Sequence, residues 1–198
     1  MSDLISVRPD ETVDIDALTA WAETREAIPP GRPDIRQFSN GRANLTYLLT
    51  YPDGAELVLR RPPLGPVAEG SHDMSREYRV LSRLWKSFPL APRAVALCED
   101  LNVIGSQFIV MHRLDGVVVK EVVPDVFGGG TDPEANRALS IVVVDTLAAL
   151  HRVDPVECGL GDLGHPNGFI ERQVQGWAKR WARAQHEPDP VADEVAAW

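Results

Sequence analysis

The chain has 198 residues, of which 44% are hydrophobic and 25% are charged, so it has the composition of a globular protein with one large domain or two small lobes. Its formal net charge of -9 offers no overall electrostatic attraction to nucleic acid or to an anionic membrane surface, although a local basic patch is compatible with it. This charge balance argues against a nucleic-acid-binding function.

Targeting signals are not evident in the sequence. The N-terminal stretch MSDLISVRPDETVD lacks the basic start and apolar segment of a signal peptide. The longest apolar-rich run, SIVVVDTLAAL, is interrupted by Asp145 and is shorter than the roughly 20 residues that span a bilayer. Cys98 and Cys158 form no CxxC pair, so we expect buried, inert thiols in a reducing compartment. These features predict a cytoplasmic protein without a membrane anchor.

The first third of the chain predicts one helix followed by three strands. Asp14 is expected to cap a helix that extends to about Ala27, and residues 1–33 are interpreted as an N-terminal helical brace. The runs IRQFSN and LTYLLTY are separated by GRAN, and AELVLRR follows a Pro-Asp-Gly turn. Their β-branched and aromatic content predicts a three-stranded antiparallel meander.

The middle third predicts one helix and two more strands. The Pro/Gly-rich loop PPLGPVAEGSH is followed by a helix from about Met74 to Phe88, with Asp73 as its N-cap. The runs RAVALCED and SQFIVMHRL are expected to be strands joined by a turn near Leu101 to Gly105. One helix packed on one antiparallel sheet makes the predicted fold class α+β.

Beyond Gly116 the signals become mainly helical. Helices are predicted from Pro133 through His151 and from about Gly168 to Gln185, whereas FGGGTDPE is a loop. We therefore place a boundary between two lobes at 113–116, so that residues 34–114 form the sheet-containing lobe and residues 115–198 begin a helical lobe.

Glu77 and a neighbouring arginine are the first candidate functional residues. Glu77 lies on the apolar stripe of its predicted helix, where a carboxylate needs a cationic partner. Side chains alternate along the strand LVLRR, so only one of Arg60 and Arg61 can meet this helix. We predict that Arg60 is the partner of Glu77, because Arg60 and Val58 lie on the same face of the strand. The alternative is that both arginines are solvated charges at the end of a strand.

Two other segments have backbone features that suit ligand binding. SNGRANLTY places Gly41 between two strands, where backbone N–H groups can approach a phosphate, although glycines in hairpins more commonly serve the turn itself. FIVMHRLDG is an apolar strand that becomes polar and ends at Gly116. Such a connector can offer backbone groups to a planar heterocycle, or it can be a plain linker between lobes.

In this order, the segments FSNGRANLTYLL, VLRRPP, SREYRVLSRL, FIVMHRLDG, LAALHRVD and GLGDLG resemble the aminoglycoside phosphotransferase and choline kinase-like family. The resemblance covers about residues 35 to 185 and is greatest to the subgroup that occurs as independent bacterial proteins and fused to acyl-CoA dehydrogenases. It implies a protein kinase-like fold and ATP-dependent transfer of phosphate to a hydroxyl group, with Mg²⁺ as a further cofactor.

The resemblance also implies roles for individual residues. It assigns the loop from Ser39 to Thr46 to the ATP phosphates, and it makes Glu77 the ion-pair partner of Arg60. Arg60 occupies a position where the family usually has Lys, and it is bulkier and binds phosphate with a fixed fork. The backbone of residues 111–114 is implied to be the adenine hinge. The full set of implied nucleotide-binding residues is Ser39, Asn40, Gly41, Asn44, Thr46, Arg60, Glu77, Met111, His112 and Leu114.

The stretch GDLGHPN has the spacing G-D-x-x-x-x-N of a kinase catalytic loop, in which the Asp is the base and the Asn a magnesium ligand. The family's loop begins with His, but Leu160 stands at that position, and no strand with an Asp between apolar neighbours follows. We therefore interpret Asp162 and Asn167 as a chance match in a connector and assign no catalytic or metal-binding residue. The chain is expected to correspond to the N-terminal part of a longer kinase, ending before its catalytic loop.

Two features of the helical part have alternative interpretations. His151 ends a helix and is interpreted as a packing or helix-terminal residue rather than a base. Val174, Trp177 and Trp181 form one stripe of the last predicted helix. The stripe is either core packing or a lid over a large or anionic substrate such as a CoA thioester.

The leading hypothesis is a small-molecule phosphotransferase that binds nucleotide but, as this chain, has little or no turnover. One alternative is a non-catalytic, pseudokinase-like module associated with acyl-CoA metabolism, and another is an α+β domain with no nucleotide site. The hydroxyl acceptor is not specified, and aminoglycoside phosphorylation does not follow from the fold. A truncated helical part predicts an exposed apolar face that can pair two copies, formed by Val142, Leu147, Trp177 and Trp181.

Overall fold

The computed structural model describes residues 4–39, 44–65, 72–119, 122–187 and 189–197. Six strands lie in these residues: β1 (Leu4–Ile5), β2 (Asp34–Phe38), β3 (Leu45–Thr50), β4 (Glu56–Arg61), β5 (Ala94–Cys98) and β6 (Phe108–His112). The same residues contain six α-helices: α1 (Ile15–Ala22), α2 (Met74–Leu84), α3 (Leu101–Ile104), α4 (Pro133–His151), α5 (Phe169–Ala184) and α6 (Pro190–Ala197). The chain divides into two compact units, Met1–Leu160 and Gly161–Trp198.

The first unit contains a single antiparallel sheet with the strand order β1-β2-β3-β4-β6-β5. The predicted meander of β2, β3 and β4 is confirmed, because these strands are neighbours both in the chain and in the sheet. β6 pairs with β4 on one side and with β5 on the other. Both faces of β6 are covered, because Phe108 and Val110 pack in one apolar cluster and Ile109 and Met111 in the other, which explains the continuous apolar run at the start of this strand.

One face of the sheet packs against the N-terminal segment. Tyr47, Leu59 and Phe108 contribute to an apolar cluster that also contains Leu18 of α1. The ring of Trp21 meets Phe108 edge-on, with ring centroids 4.7 Å apart. The N-terminal segment therefore covers this face of the sheet, and it also contributes the strand β1. Its interpretation as a separate brace stays a prediction.

The opposite face of the sheet packs against α2. Val58, Ile109 and Met111 form a smaller apolar cluster with Met74, which is fully buried in the first turn of the helix. This arrangement confirms that one helix packs on this face, and it brings the side chains of β4 and β6 close to α2.

The predicted starts of α1 and α2 are confirmed by their caps. The side chain of Asp14 accepts hydrogen bonds from the backbone of Asp16 and Ala17, and Asp73 accepts one from Arg76. The predicted ends were too long, because α1 stops at Ala22 rather than Ala27 and α2 stops at Leu84 rather than Phe88. Tighter turns follow both helices, and Pro89 disfavours a helical conformation for the residue before it.

Three short elements were missed. β1 has two residues, too few for a periodic pattern, and α3 replaces a predicted turn near Leu101 to Gly105. α6 lies in a stretch that was interpreted as an acidic segment broken by prolines. Its start signal was present in the sequence, since Asp189 caps the helix and Pro190 occupies the first helical position.

The predicted helices of the C-terminal part are confirmed as α4 and α5. Val142 and Leu147 of α4 are exposed in the first unit, and Trp177 and Trp181 of α5 are exposed in the second, as expected for the apolar face. No helix within the described residues combines the length and the apolar character that crossing a membrane requires. The lobe boundary at 113–116 stays a prediction.

The two cysteines differ in burial. Cys98 is buried in β5, and burial raises the pKa of its thiol, which disfavours the reactive thiolate. Cys158 is only partly buried, because it lies in a surface turn after α4. The prediction of buried thiols was therefore correct for Cys98 and wrong for Cys158.

Candidate functional site

A cleft of about 660 Å³ lies in the first unit, where α2 faces β4 and β6. This volume is in the range of small-molecule sites, which is roughly 300 to 1,000 Å³. Charged and amide side chains share the lining with an apolar wall. The lining residues are Asn44, Arg60, His72, Asp73, Arg76, Glu77, Val80, Leu81, Pro92 and Met111.

The central pair of the cleft is Arg60 and Glu77. Nη1 of Arg60 lies 2.8 Å from Oε1 of Glu77, so the predicted ion pair between β4 and α2 is confirmed. The Arg60 side chain is 36% exposed and that of Glu77 is 21% exposed. Oε1 is buried but accepts no well-aligned hydrogen bond among the described residues, so the pair is held by charge and proximity.

Arg61 points to the opposite face of the sheet and is 2% exposed. Its Nη2 donates to the carbonyl oxygens of Glu11 and Thr12 at 2.8 and 3.2 Å and to the hydroxyl of Tyr47 at 2.9 Å. Burial raises the pKa of Tyr47, while the charge of Arg61 acts in the opposite direction. The alternative that both arginines are solvated strand-end charges is therefore wrong.

The residues predicted to contact phosphates are only partly brought together. Asn44 lines the cleft, and Thr46 pairs directly with Arg60 across β3 and β4, so their side chains share a face of the sheet. Ser39 does not line the cleft, and its carbonyl oxygen accepts a hydrogen bond from Arg8 in the brace. Asn40 and Gly41 lie outside the described residues.

The residues of the predicted adenine hinge also lie in different environments. Met111 is buried and lines the cleft, whereas His112 is exposed and its backbone N–H donates to the carbonyl of Arg93 at 2.9 Å. Leu114 follows the end of β6, is exposed, and makes no backbone hydrogen bond among the described residues. Among Met111, His112 and Leu114, only Leu114 therefore has backbone groups that form no hydrogen bond with the described residues.

Sequence reasoning missed His72, Asp73 and Arg76 as cleft residues. Asp73 was assigned only as the cap of α2, and Arg76 extends from the first turn of the same helix. His72 lies just before the cap, and its Nδ1 is 2.6 Å from Oδ1 of Asn44. The signal was its place at the end of the Pro/Gly-rich loop, directly before the helix that carries Glu77.

The stretch GDLGHPN belongs to the second unit and forms turns before α5. The side chain of Arg172 donates to the backbone carbonyls of His165 and Asn167, which fastens the stretch to the first turn of the helix. Asp162 is exposed. Within the part of the chain that the structure describes, no three His, Cys, Asp or Glu side chains converge on a metal-sized site.

The apolar stripe of α5 faces α6 within the second unit. Val174, Trp177 and Trp181 line a groove of about 670 Å³ together with Val191 and Val195. The groove is open on its other side, which leaves both tryptophans accessible to solvent. The interpretation of this stripe as a substrate lid stays a prediction.

Comparison of the chain with known protein families identifies the family to which it belongs. The pattern of the Phosphotransferase enzyme family, APH, matches residues 34–198, which include the strands β2 to β6, α2 and all later helices. The chain belongs to this family. Its antiparallel sheet and helices are accordingly a protein kinase-like fold, as predicted.

Relatives of this phosphotransferase family member carry names from acyl-CoA metabolism. The chain is 34% identical over 172 residues to acyl-CoA dehydrogenase family member 11 of Gallus gallus, a match that covers 86% of the chain and 21% of the relative. It is 29% identical over 197 residues to the probable acyl-CoA dehydrogenase IBR3 of Arabidopsis thaliana, covering 93% of the chain and 23% of that protein. The chain therefore spans about a fifth to a quarter of these relatives.

A solved structure agrees with the family assignment. It is that of a protein from Ralstonia eutropha JMP134, described as a candidate aminoglycoside phosphotransferase. The TM-score is 0.74 at 31% sequence identity, and the match covers 94% of this chain and 53% of the solved chain. The phosphotransferase fold thus includes nearly all of this chain but extends over a larger protein in that relative.

Proposed function

We propose that this chain carries the ATP-binding part of a kinase-type phosphotransferase that transfers the γ-phosphate of ATP to a hydroxyl group of a small molecule. The observation that supports this proposal is the Arg60–Glu77 ion pair, which joins the sheet to α2 inside a cleft of suitable volume. Membership in the phosphotransferase family is consistent with the same reaction class.

The residues of the cleft fit a nucleotide. Arg60 places a permanent positive charge beside Asn44, and both groups can donate hydrogen bonds to phosphate oxygens. Val80, Leu81 and Met111 give the cleft an apolar wall that suits the base of a nucleotide. When bound, ATP supplies the phosphoryl group that is transferred.

The ion pair has a defined part in this proposal. Glu77 restrains the long Arg60 side chain, so less conformational entropy is lost when Arg60 contacts phosphate. Because phosphoryl transfer depends on positioning and on stabilising spread negative charge, a restrained arginine contributes more than a freely rotating one. Thr46, directly opposite Arg60, has a hydroxyl on the same face of the sheet.

Magnesium use is typical of this reaction class, in which one or two carboxylates hold the metal together with phosphate oxygens of the nucleotide. Glu77 is paired with Arg60, and we assign no magnesium ligand among the described residues. We derive no step through the metal. We accordingly expect ATP binding by this chain with little or no turnover, and we keep Asp162 and Asn167 as connector residues.

The hydroxyl acceptor is inferred from the names of the relatives. The names of the relatives in Gallus gallus and Arabidopsis thaliana point to acyl-CoA compounds, so we extend the proposal to a hydroxyl-bearing CoA thioester as acceptor.

The second candidate function is a non-catalytic module that associates with an acyl-CoA dehydrogenase. The names of these relatives, which are those of acyl-CoA dehydrogenases, support this alternative.

Calorimetric titration of the chain with ATP tests the proposal. Arg60→Gln removes the positive charge, and we expect ATP affinity to fall about 10- to 100-fold, the effect of losing a charge-assisted hydrogen bond. Arg32→Gln is the matched control, because Arg32 pairs with Asp16 on the surface of the brace and should leave affinity unchanged. Equal ATP affinities for the wild-type chain and Arg60→Gln would contradict the proposal.

A transfer assay tests the connector interpretation separately. The chain is incubated with magnesium, labelled ATP and a hydroxylated acyl-CoA, and we expect no phosphorylated product. Magnesium-dependent transfer that disappears in Asp162→Ala would show that GDLGHPN is the catalytic loop after all. ATP binding without transfer would support the nucleotide-binding part of the proposal.

A further inference from the structure

His72 connects two parts of the cleft that are far apart in the chain. It directly precedes Asp73, which caps α2, and its Nδ1 lies 2.6 Å from Oδ1 of Asn44. Asn44 directly precedes β3 and is 7% exposed. The contact joins residues 28 positions apart and links the start of β3 to the start of the helix that carries Glu77.

The backbone of His72 is held in an uncommon conformation. Its φ is 57°, and it is the only non-glycine residue with positive φ in the described part of the chain. The left-handed region is sterically unfavourable for residues with a Cβ, although His tolerates it better than most. Such conformations persist where the surroundings impose them, and they are concentrated at ligand sites and active sites. Here the conformation accompanies the contact between the imidazole and Asn44.

The bond also sets the orientation of the Asn44 amide. Because Oδ1 of Asn44 accepts from the ring, Nδ1 of His72 carries the proton. The N–H donors of the same amide are then directed away from the ring, and N–H donors are the groups that suit phosphate oxygens. A rotated amide would present an oxygen instead, which repels phosphate.

We propose that His72 is a positioning residue of the nucleotide cleft: it orients the Asn44 amide and fixes the start of β3 against the start of α2. This inference rests on the proposed function of the cleft as an ATP site. His72 acts through Asn44 and is not required to touch the nucleotide. It keeps the amide donors of Asn44 at a constant spacing from Arg60 and Glu77.

The first turn of α2 also has an anchor that does not involve this contact. α2 is separately anchored by Met74, which is fully buried against Ile109 and Met111. Loss of the imidazole should therefore change ligand affinity much more than stability. This separation distinguishes a positioning role from a merely structural one.

A double-mutant cycle measures the role directly. ATP affinity is determined by calorimetry for His72→Ala, Asn44→Ala and the double variant. We expect ATP affinity to fall about tenfold in His72→Ala and by a similar or larger factor in Asn44→Ala. The double variant should bind ATP as weakly as Asn44→Ala alone, because both substitutions remove one shared interaction. The urea midpoint of His72→Ala should remain close to that of the wild-type chain.

Two additional variants separate the effect of the hydrogen bond from that of the backbone strain, and a third variant is a control. His72→Gly relieves the positive φ without restoring the bond, so it should bind ATP as weakly as His72→Ala. His72→Asn tolerates the left-handed conformation and keeps a side-chain donor, so it should recover part of the affinity. His151→Ala is the control, since His151 is exposed at the end of α4 and should have no effect.

The outcomes distinguish this inference from the proposed function. If Arg60→Gln weakens ATP binding but His72→Ala does not, or if the losses in the cycle are additive, the positioning role is wrong and the ATP site stands. If the wild-type chain does not bind ATP, both proposals fail as stated. Amide hydrogen exchange at Leu45 and Thr46 gives a readout without ligand, and unchanged exchange in His72→Ala would also overturn the positioning role.

Discussion

Two adjacent arginines at the end of β4 have opposite environments. Arg60 is 36% exposed, faces α2 and pairs with the carboxylate of Glu77 in an open cleft. Arg61 is 2% exposed, faces the brace, and donates to backbone carbonyls and a tyrosine hydroxyl. The alternation of side chains along a strand thus directs one guanidinium to the open cleft and the next into the core.

The difference shows how the environment decides what an arginine does. Arg61 is surrounded by oxygens of Glu11, Thr12, Ile104 and Tyr47, so its donors are used within the protein. Arg60 lies at ion-pair distance from the carboxylate of Glu77, and its side chain is partly exposed in the cleft. We therefore expect substitutions of Arg61 to change mainly stability and substitutions on the other face to change mainly ligand affinity.

The largest expected effect is that of Arg61→Met. Methionine fills part of the volume but leaves the carbonyl oxygen of Ile104 and the hydroxyl of Tyr47 buried without this donor, so the free energy of unfolding should fall by about 3 kcal/mol or more. Urea unfolding monitored by tryptophan fluorescence measures this loss. Arg61→Lys retains the charge but not the fork of donors, and we expect an intermediate loss.

Arg60→Met is the control for this experiment on the opposite face. Because the Arg60 side chain is 36% exposed, water screens its charge, and the free energy of unfolding should change by less than about 1 kcal/mol. Similar losses for Arg60→Met and Arg61→Met would contradict the distinction between the two faces. A loss below about 1 kcal/mol for Arg61→Met would show that its buried contacts are easily replaced.

A smaller effect is expected from Glu77→Gln. The substitution retains the shape of the side chain but removes the charge that restrains Arg60, so ATP affinity should fall about five- to tenfold while stability changes little. Calorimetry and urea unfolding on the same variant separate these quantities. Glu56→Gln is the matched control, because Glu56 pairs with Arg113 outside the cleft lining. A loss of stability without a loss of affinity would place Glu77 with the core-facing residues.

Local patterns predicted much of this fold. Asp14 and Asp73 marked the starts of α1 and α2, and strand alternation together with the stripe of α2 predicted the Arg60–Glu77 pair. These features depend on residues close in the chain or on one periodic rule. The Asp189 cap of α6 was equally readable but was given less weight than the prolines around it.

Contacts between distant segments could not be predicted in the same way. The burial of Arg61 depends on carbonyl oxygens about 50 residues earlier in the chain, and no local pattern indicates that the brace docks there. The contact of His72 with Asn44 likewise requires the pairing of β3 with β4 and the docking of α2. Which oxygen meets which donor is decided by tertiary packing, which periodicity does not encode.

The smallest expected effect is a pH dependence on the Arg61 face. The carboxylate of Glu11 accepts hydrogen bonds from Gln37 and Arg8, and these bonds, led by that of Gln37, lower the pKa of Glu11 although burial opposes them. A lowered pKa contributes stability that is present above the ordinary pKa of the group and is lost as the pH falls through the lowered value. The wild-type chain should therefore lose more stability than Glu11→Gln between about pH 6 and about pH 3, by up to about 1 kcal/mol. Urea midpoints across this range measure the difference, and parallel profiles for the two proteins would show that the Glu11 carboxylate does not stabilise the brace.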